Sequence, residues 1–327
     1  MKSYQVVGIG NAIVDVFASA DDSFLELMGI TKGIMQLVER ERGEVLYGAM
    51  QDRRQAPGGS VANTLAGVGN LGLTTAFIGR VHDDALGRFY ARTMAENGTD
   101  FVNAPMPGGD LPTSRSMIFV SPEGERSMNT YLGISSELGP EDVSDGVAGG
   151  AGILFLEGYL YDKPKGMAAF VRAARLCQQG GGMAGIALSD PFCVDRHRGE
   201  FRRLVKDLDY VIGNEHEWSS LYQTDLDGAL QQAAADSGLV VCTRSGDEVI
   251  VLRGPERAVV PVRRVVPVDA TGAGDLFAAG FLYGLATGQR LEVAGRMGCV
   301  AAAEVISHFG ARPEADLKAL FRHEGLI

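Results

Sequence analysis

Short apolar segments bounded by glycine, aspartate or asparagine recur along the chain, and each has about the length of one buried strand. They predict strands at residues 4–10, 75–79, 153–156, 184–188, 210–212, 239–243 and 248–252. Between most of them, apolar residues at helical spacing predict helices at 60–71, 85–97, 164–178, 227–235, 276–286 and 291–309. Because the strands are almost continuously apolar and alternate with helices, we expect a mainly parallel sheet with helices on both faces.

Two stretches, residues 12–54 and 104–134, do not follow this alternation. In the second stretch, 116–120 and 126–131 flank the turn-like sequence Ser-Pro-Glu-Gly, which predicts a β-hairpin. We expect parts of both stretches to form a small antiparallel β lid over the main sheet. The sequence shows no linker, fixed-period repeat or low-complexity segment, so we expect one domain over residues 1–327.

Composition and charge limit the function classes. The 46% hydrophobic and 22% charged residues are typical of a soluble globular protein. The formal net charge of −11 argues against nucleic acid or an anionic membrane as a partner. We expect a cytoplasmic protein, because no apolar run is long enough for a membrane span or a signal peptide. The four widely separated cysteines predict reduced thiols rather than a zinc site or a disulfide framework.

The strongest chemical signal is Val-Asp-Ala-Thr-Gly-Ala-Gly-Asp at 268–275, directly before an apolar helical segment. Glycines let backbone N–H groups converge at a helix N-terminus, where the helix dipole favours an anion. Asp275 at the same terminus would stay ionised and could take a proton from an attacking hydroxyl. A glycine-rich turn with Asp275 as a helix cap explains the same residues. No Walker A motif or complete G-x-G-x-x-G is present, so neither a P-loop enzyme nor a Rossmann dehydrogenase is favoured.

Two further strand ends carry residues that suit a nucleotide. Asn214 and Glu217 lie at i and i+3 after a predicted strand, and their oxygens suit a hydrated Mg²⁺ that arrives with ATP. A helix capping box explains this pair as well. Thr243, Arg244 and Gly246 follow the next strand and could turn towards a nucleotide, although a hairpin turn accounts for them equally.

The sequence Ala-Pro-Gly-Gly-Ser-Val-Ala-Asn-Thr at 56–64 suits a site for sugar hydroxyls. Its glycines permit close backbone approach, and its asparagine projects a donor and an acceptor from a helix start. Polar residues just past the first strand could accept bonds from vicinal hydroxyls, or act as turn and cap residues. The candidate acceptor-binding residues are Asn11, Asp15, Gly58, Gly59, Ser60 and Asn63.

Together, the glycine pair with Asn63, the Asn214-x-x-Glu217 pair and the run at 269–275 resemble, in order and spacing, the ribokinase-like (PfkB) carbohydrate kinases. The resemblance covers residues 4–312. It implies an α/β fold, a three-layer α/β/α sandwich with a small β lid, in agreement with the predicted pattern. It also implies that Asp275 is the catalytic base and that the amides of Gly272, Ala273 and Gly274 form an anion hole.

The family usually has Asp-Thr-Thr-Gly where this chain has Asp-Ala-Thr-Gly at 269–272, and the missing hydroxyl belongs to neither the base nor the glycines. The resemblance also implies that Thr271 lies in the ATP site. Some family members bind a monovalent cation, and the matching positions here lie near Asp269, Thr271 and Gly310. The resemblance therefore allows a K⁺ ion near Asp269 and Gly310.

Within the family, Leu-Ser-Asp-Pro-Phe at 188–192 is similar to a stretch of the adenosine kinases. Gly-Glu-Arg-Ser-Met at 124–128 is similar to their lid strand, which implies that Arg126 faces the phosphates. Apolar lid residues would stack on a purine base, or they form only the core of the lid. These residues are Ile13, Phe17, Met35, Leu37, Phe119 and Met128.

We therefore expect an ATP-dependent kinase that transfers the γ-phosphoryl group to the 5′ hydroxyl of a ribonucleoside, with adenosine as the acceptor and AMP as the product. Such an enzyme would act in purine salvage and use Mg²⁺ with ATP. The alternatives are a kinase for ribose, fructose or a keto-deoxy sugar acid, and a non-catalytic nucleoside- or sugar-binding protein on the same fold. The sequence is compatible with a monomer or a homodimer.

Overall fold

A computed structural model describes residues 4–327. The strands are β1 (Tyr4–Ile9), β2 (Ile13–Ser19), β3 (Met35–Leu37), β4 (Arg54–Gly58), β5 (Thr75–Ile78), β6 (Thr99–Phe101), β7 (Ser114–Val120), β8 (Arg126–Tyr131), β9 (Ala151–Glu157), β10 (Met183–Ala187), β11 (Tyr210–Asn214), β12 (Val240–Thr243), β13 (Val249–Arg253) and β14 (Glu256–Val260). The α-helices are α1 (Asp22–Leu27), α2 (Arg40–Ala49), α3 (Ser60–Asn70), α4 (Ala85–Glu96), α5 (Asp145–Gly150), α6 (Pro164–Gln179), α7 (Pro191–Arg196), α8 (Arg198–Asp207), α9 (Glu215–Tyr222), α10 (Leu226–Asp236), α11 (Ala273–Ala286), α12 (Leu291–Val305) and α13 (Leu317–His323).

The larger sheet has the strand order β14-β13-β12-β11-β10-β9-β1-β5-β6. Neighbouring strands from β12 to β6 pair in parallel, and β13 and β14 extend the sheet as an antiparallel hairpin. The prediction of a mainly parallel sheet is thereby confirmed. The hydrophobic pattern does not reveal the two edge strands, because β6 has only three residues and β14 begins with two charged ones.

Alternating residues of the central strands face two separate hydrophobic clusters. Val6 of β1 belongs to the cluster that includes α3, α11 and α12, whereas Val7 and Ile9 belong to the cluster that includes α6, α8 and α9. Because successive side chains of a strand point to opposite faces, the two clusters are the two sides of one sheet. The three-layer α/β/α sandwich is confirmed.

The final long helix is shorter than its hydrophobic pattern suggests. Its predicted range of 291–309 is wrong at the C-terminal end, because α12 ends at Val305. The carbonyl oxygen of Ile306 accepts hydrogen bonds from the backbone N–H groups of Val268 (2.7 Å) and Asp269 (3.3 Å). This carbonyl, one of those that a helix end leaves free, therefore anchors the segment before the glycine-rich run.

The smaller sheet, hereafter the lid sheet, has the strand order β3-β8-β7-β2-β4. The predicted hairpin is confirmed, since β7 and β8 pair antiparallel, as do β2 and β4. The expectation of a wholly antiparallel lid is wrong: β2 pairs with β7 in parallel, and so does β3 with β8. The physical reason is that the hairpin inserts between strands of the other stretch. The edge strand β4 begins at Arg54, where the first predicted lid stretch ends, and continues to Gly58.

None of the helices within residues 4–327 combines the length and apolarity that crossing a bilayer requires. The four cysteines are buried thiols that form no disulfide with one another.

Close packing of α11 on α12 leads to a stability prediction. A Cβ on Gly280 would overlap the carbonyl oxygen of Met297, a backbone atom that cannot move aside. We expect Gly280→Ala to lower the free energy of unfolding by about 1–3 kcal/mol, measured by urea denaturation. Gly48→Ala on α2 is the matched control, because no atom lies within 4 Å of its Cβ position. It should be neutral or stabilising by up to about 1 kcal/mol. Equal effects of the two substitutions would contradict this account.

Candidate active site

The candidate site residues collect at the carboxyl-terminal edge of the larger sheet. Asn11 follows β1, Glu157 ends β9, and Asn214 and Thr243 end the neighbouring strands β11 and β12, where they are register partners. Crevices outside the carboxyl ends of parallel strands are the usual ligand sites of α/β sheets. Along this edge, the candidate acceptor-binding residues lie around β1 and β9, and the candidate nucleotide-binding residues lie around β11 and β12.

Asp275 lies in the first turn of α11 and is held by residues of α3. The hydroxyl of Ser60 donates to Oδ1 (2.7 Å), Nδ2 of Asn63 donates to Oδ2 (3.0 Å), and the hydroxyl of Thr64 donates to the Asp275 carbonyl oxygen (3.0 Å). Burial raises the pKa of the Asp275 carboxyl to about 6, and the donors from Ser60 and Asn63 oppose that rise. The carboxylate is thus fixed in position and mostly ionised at neutral pH.

The glycine-rich turn before Asp275 has the conformation and the open space of an anion site. Gly272 is the N-cap of α11 in the left-handed region (φ 81°), and a Cβ there would meet Ala311 at 2.7 Å. No atom lies within 4 Å of the Cβ position of Gly274. The amides of Gly272 and Gly274 have no hydrogen-bond partner among residues 4–327, whereas the Ala273 amide donates to the Ala270 carbonyl (3.3 Å). Of the three predicted donors, two are therefore available to a ligand.

Asp15 faces the same crevice from the lid sheet. Its carboxylate fills the space where a Cβ of Gly58 would lie, and Gly59 adopts φ 96° against the Asn11 carbonyl, so side chains at either glycine would close the site. Burial raises the pKa of Asp15 to about 7; the Asp275 charge adds to this rise, and Arg312 and Arg126 oppose it. The structure brings together the acceptor candidates of the sequence analysis.

Glu157 is a site residue that sequence reasoning misses. Its Oε1 accepts from both the backbone N and the Nδ2 of Asn11 (2.7 Å each), and its Oε2 accepts from the backbone N of Val61 (3.3 Å). Ser135 donates to the Asn11 Oδ1 (3.0 Å), so every polar atom of that amide is oriented. Burial raises the pKa of Glu157 to about 7. The sequence signal is an acidic residue that ends an otherwise apolar strand.

Arg126 of β8 extends from the lid sheet to the glycine-rich turn. Its guanidinium pairs with Oδ2 of Asp269 at 2.6 Å, and both side chains are largely buried. The structure does not place Arg126 against Asp275. A role for Arg126 at the phosphates stays a prediction.

The residues around Asp269 do not fit a monovalent cation. Oδ1 accepts from the backbone N (3.0 Å) and the hydroxyl (2.7 Å) of Thr271, and Oδ2 contacts the Gly310 backbone N (2.9 Å) as well as Arg126. A carboxylate offers about four lone-pair positions, and these four contacts use them. A positive guanidinium thus lies beside Asp269, and Thr271 is engaged in the same cluster.

Asn214 and Glu217 form the capping box that the sequence allows. Asn214 Oδ1 accepts from the backbone N of His216 and of Glu217 (2.9 Å each), and Glu217 accepts from the backbone N (2.8 Å) and Nδ2 (2.7 Å) of Asn214. Burial raises the pKa of Glu217 to about 7. Within residues 4–327, no group of three or more His, Cys, Asp or Glu side chains could hold a metal ion. A single carboxylate fits only a hydrated Mg²⁺ that enters with phosphates and is held through water.

The other nucleotide candidates lie in a hairpin turn at the same edge. Arg244 is 3.6 Å from Glu215 and 3.8 Å from Glu248, and its carbonyl closes the turn with the Asp247 backbone N (2.9 Å). Gly246 has open space around its Cβ position. The turn joins the antiparallel strands β12 and β13, so the backbone forms the hairpin turn that the sequence allows. A contact of these residues with a nucleotide stays a prediction.

Removing one donor should move the titration of Asp275. Ser60→Ala deletes a hydroxyl that stabilises the charged carboxylate, so we expect the pKa of Asp275 to rise above about 6. Carboxyl ¹³C NMR on aspartate-labelled protein, with Asp275→Asn to assign the resonance, measures this value. Ser219→Ala on α9 is the matched control and should leave it unchanged. A pKa that stays constant in Ser60→Ala would show that this hydroxyl does not stabilise the carboxylate.

Comparison with known proteins agrees with this geometry. The chain is similar to a solved probable sugar kinase from Rhizobium etli CFN 42, with 45% identity, 100% coverage of both chains and a TM-score of 0.92. It is similar to the adenosine kinase from Sinorhizobium meliloti, with 45% identity over 98% of this chain and 99% of that chain and a TM-score of 0.90. It is also 31% identical over 247 residues to the fructokinase from Klebsiella pneumoniae. This alignment covers 71% of this chain and 78% of the fructokinase.

The sequence profile described as pfkB family carbohydrate kinase matches residues 23–317. A match over this length shows that the chain belongs to the PfkB family, as an ATP-dependent phosphotransferase that acts on an alcohol group of a sugar or nucleoside.

Proposed function

We propose that the protein transfers the γ-phosphoryl group of ATP to the 5′ hydroxyl of a ribonucleoside, and that this nucleoside is adenosine. The observation that carries the catalytic part is the carboxylate of Asp275, held by Ser60 and Asn63 beside two free backbone amides. The similarity to the adenosine kinase from Sinorhizobium meliloti supports the acceptor.

Each residue has a distinct task in the proposed reaction. The acceptor hydroxyl attacks the γ-phosphorus while its proton passes to the partly exposed Asp275 carboxylate, and the bond to the ADP oxygen breaks. The amides of Gly272 and Gly274 stabilise the charge that develops on the phosphoryl oxygens. Asp15, Asn11, Gly58 and Gly59 would bind the ribose hydroxyls. Mg²⁺ bound with ATP, held through water by Asn214 and Glu217, would neutralise phosphate charge.

The lid sheet offers an apolar surface next to Asp15. Phe17 pairs in register with Ile118, Ile118 with Met128, and Met128 with Met35, so the four side chains form one row on one face. Asp15 lies two residues before Phe17 and therefore shares that face. Met35 is 46% exposed and Leu37 is 53% exposed, so apolar area at the edge of the row is free to cover a base.

One predicted stacking residue belongs elsewhere. Phe119 lies on the opposite face of the lid sheet, is 1% exposed, and packs against Phe24 with ring centroids 5.4 Å apart. It forms part of the lid core, as the alternative interpretation of the apolar lid residues allows. The neighbouring row through Phe17 favours a flat apolar group beyond the sugar, as a nucleoside provides.

A sugar kinase is the second candidate function. It is favoured by the similarity to the Klebsiella pneumoniae fructokinase and by polar groups, Asn11, Asp15 and Asn63, that suffice to bind a free sugar. The lid row through Phe17 would then serve only to exclude water.

Replacement of the base tests the catalytic assignment. Asp275→Asn keeps the size of the side chain but cannot accept the hydroxyl proton, so we expect kcat to fall by about 10²–10⁴-fold. The KM for ATP should stay within about twofold. Asp225→Asn, a cap of α10, is the control and should keep normal turnover. Near-normal kcat in Asp275→Asn would exclude Asp275 as the base.

An acceptor screen with ATP and Mg²⁺ tests the substrate assignment. ADP formation should be supported by adenosine with a kcat/KM at least about 100-fold above that of ribose or fructose, because only adenosine reaches the lid row. Met128→Ala should raise the KM for adenosine several-fold and leave the KM for ATP unchanged. Leu27→Ala, 83% exposed on α1, is its control. Preference for a free sugar would establish the second candidate function instead.

A further inference from the structure

Arg312 lies beside the candidate active site, and the sequence pattern does not identify it. It follows α12 at the segment that packs on the glycine-rich turn, since Gly272 lies against Ala311. Its Nε donates to Oδ1 of Asn63 (3.3 Å) and its Nη2 contacts the Met94 sulfur (3.7 Å). Its Nη1 is buried with no hydrogen-bond partner among the described residues. A buried donor without a partner calls for a functional explanation.

The first contact of Arg312 determines the orientation of Asn63. An asparagine amide presents an acceptor on one side and a donor on the other, whereas a guanidinium only donates. With Oδ1 facing Arg312, Nδ2 must face Asp275, to whose Oδ2 it donates at 3.0 Å. A flipped amide would direct Oδ1 at the carboxylate and repel it. Arg312 therefore secures one of the two side-chain donors of the candidate base.

The second contribution of Arg312 is its charge. It opposes the rise in pKa that burial causes in both Asp275 and Asp15. The other ionisable groups that face Asp275 are acidic: Asp15 from β2, Glu157 from β9, and the Tyr159 hydroxyl. The charge of Arg126 on β8 is paired with Asp269. Among the described residues, Arg312 is thus the nearby cation without a carboxylate partner.

We propose that Arg312 is a positioning residue for phosphoryl transfer: it orients the Asn63 amide towards Asp275 and supplies the positive charge that keeps this carboxylate ionised at neutral pH. The proposal rests on the proposed role of Asp275 as the base. It applies to a nucleoside or a sugar acceptor alike, because neither contact of Arg312 involves the acceptor.

Two substitutions separate the two contributions. Arg312→Gln keeps an N–H donor for Asn63 but removes the positive charge. Arg312→Lys keeps the charge but loses the planar set of N–H donors that a guanidinium presents. The measurement is the pH profile of kcat between pH 5 and 9 with ATP, Mg²⁺ and whichever of adenosine or fructose the wild-type protein phosphorylates. The acid limb reports protonation of the base, so kcat falls as the pH drops below about 6.

We expect Arg312→Gln to move the acid limb to higher pH by about one unit, because an opposite charge that favoured the ionised carboxylate is gone. The kcat at pH 9 should fall by less than about tenfold. Arg312→Lys should keep the limb near its wild-type position and lower kcat at all pH values. Arg203→Gln, exposed on α8, is the control and should change neither quantity. Because Asp15 titrates nearby, the shift is also measured in an Asp15→Asn background, where it should persist.

A merely structural role would lower the unfolding midpoint, or kcat at every pH, without moving the limb in Arg312→Gln, and that result overturns the proposal. If Arg312→Gln fails to fold, a limb in Arg312→Lys that moves as far as one unit overturns it as well. Near-normal turnover of Asp275→Asn would instead identify the failure as that of the proposed base, and the role of Arg312 would fall with it.

Discussion

The site depends on the balance between the burial of the Asp275 carboxylate and the donors that hold it. Removing a carboxylate from water favours its protonated form, and a protonated base cannot accept a proton. Two side chains from α3 compensate this cost with hydrogen bonds of 2.7 and 3.0 Å. The N-termini of α3 and α11 must therefore meet, which in turn requires both helices to pack on the same face of the sheet.

That requirement explains the small residues of the last two long helices. The candidate base in the first turn of α11 is fixed only if the rest of the helix cannot shift. Nine consecutive residues from Leu276 to Gly284 are buried. Gly280 and Gly284 face α12 so closely that a Cβ on either would overlap backbone or Cβ atoms there. Because α11 packs closely on α12 along its length, the helix cannot shift, and the Asp275 carboxylate in its first turn keeps its position.

The sequence predicts the parts of this arrangement that are local. Apolar strands, helix periodicity and the glycine-rich run are properties of neighbouring residues, and the sheet, most helices and the hairpin β7–β8 follow from them. Contacts between distant residues follow from the fold instead. Ser60 and Asp275 are 215 residues apart, and Asn11 and Glu157 are 146 apart. Sequence reasoning identifies neither Glu157 nor Arg312. Each contacts a candidate residue that the sequence does identify, Asn11 and Asn63 respectively.

The sequence predicts which residues form the lid strands, but not which side chains share a face of the lid sheet. Strand register explains this difference. Alternation along β7 does not separate its two sides, because six of its seven residues are buried. Only pairing with β2 and β8 places Ile118 in the row with Phe17 and Phe119 on the other face. A one-residue shift of that register would exchange the two faces and direct Phe119 at the acceptor. On the proposed function, acceptor preference depends on the pairing of the lid strands as much as on the residues that the strands carry.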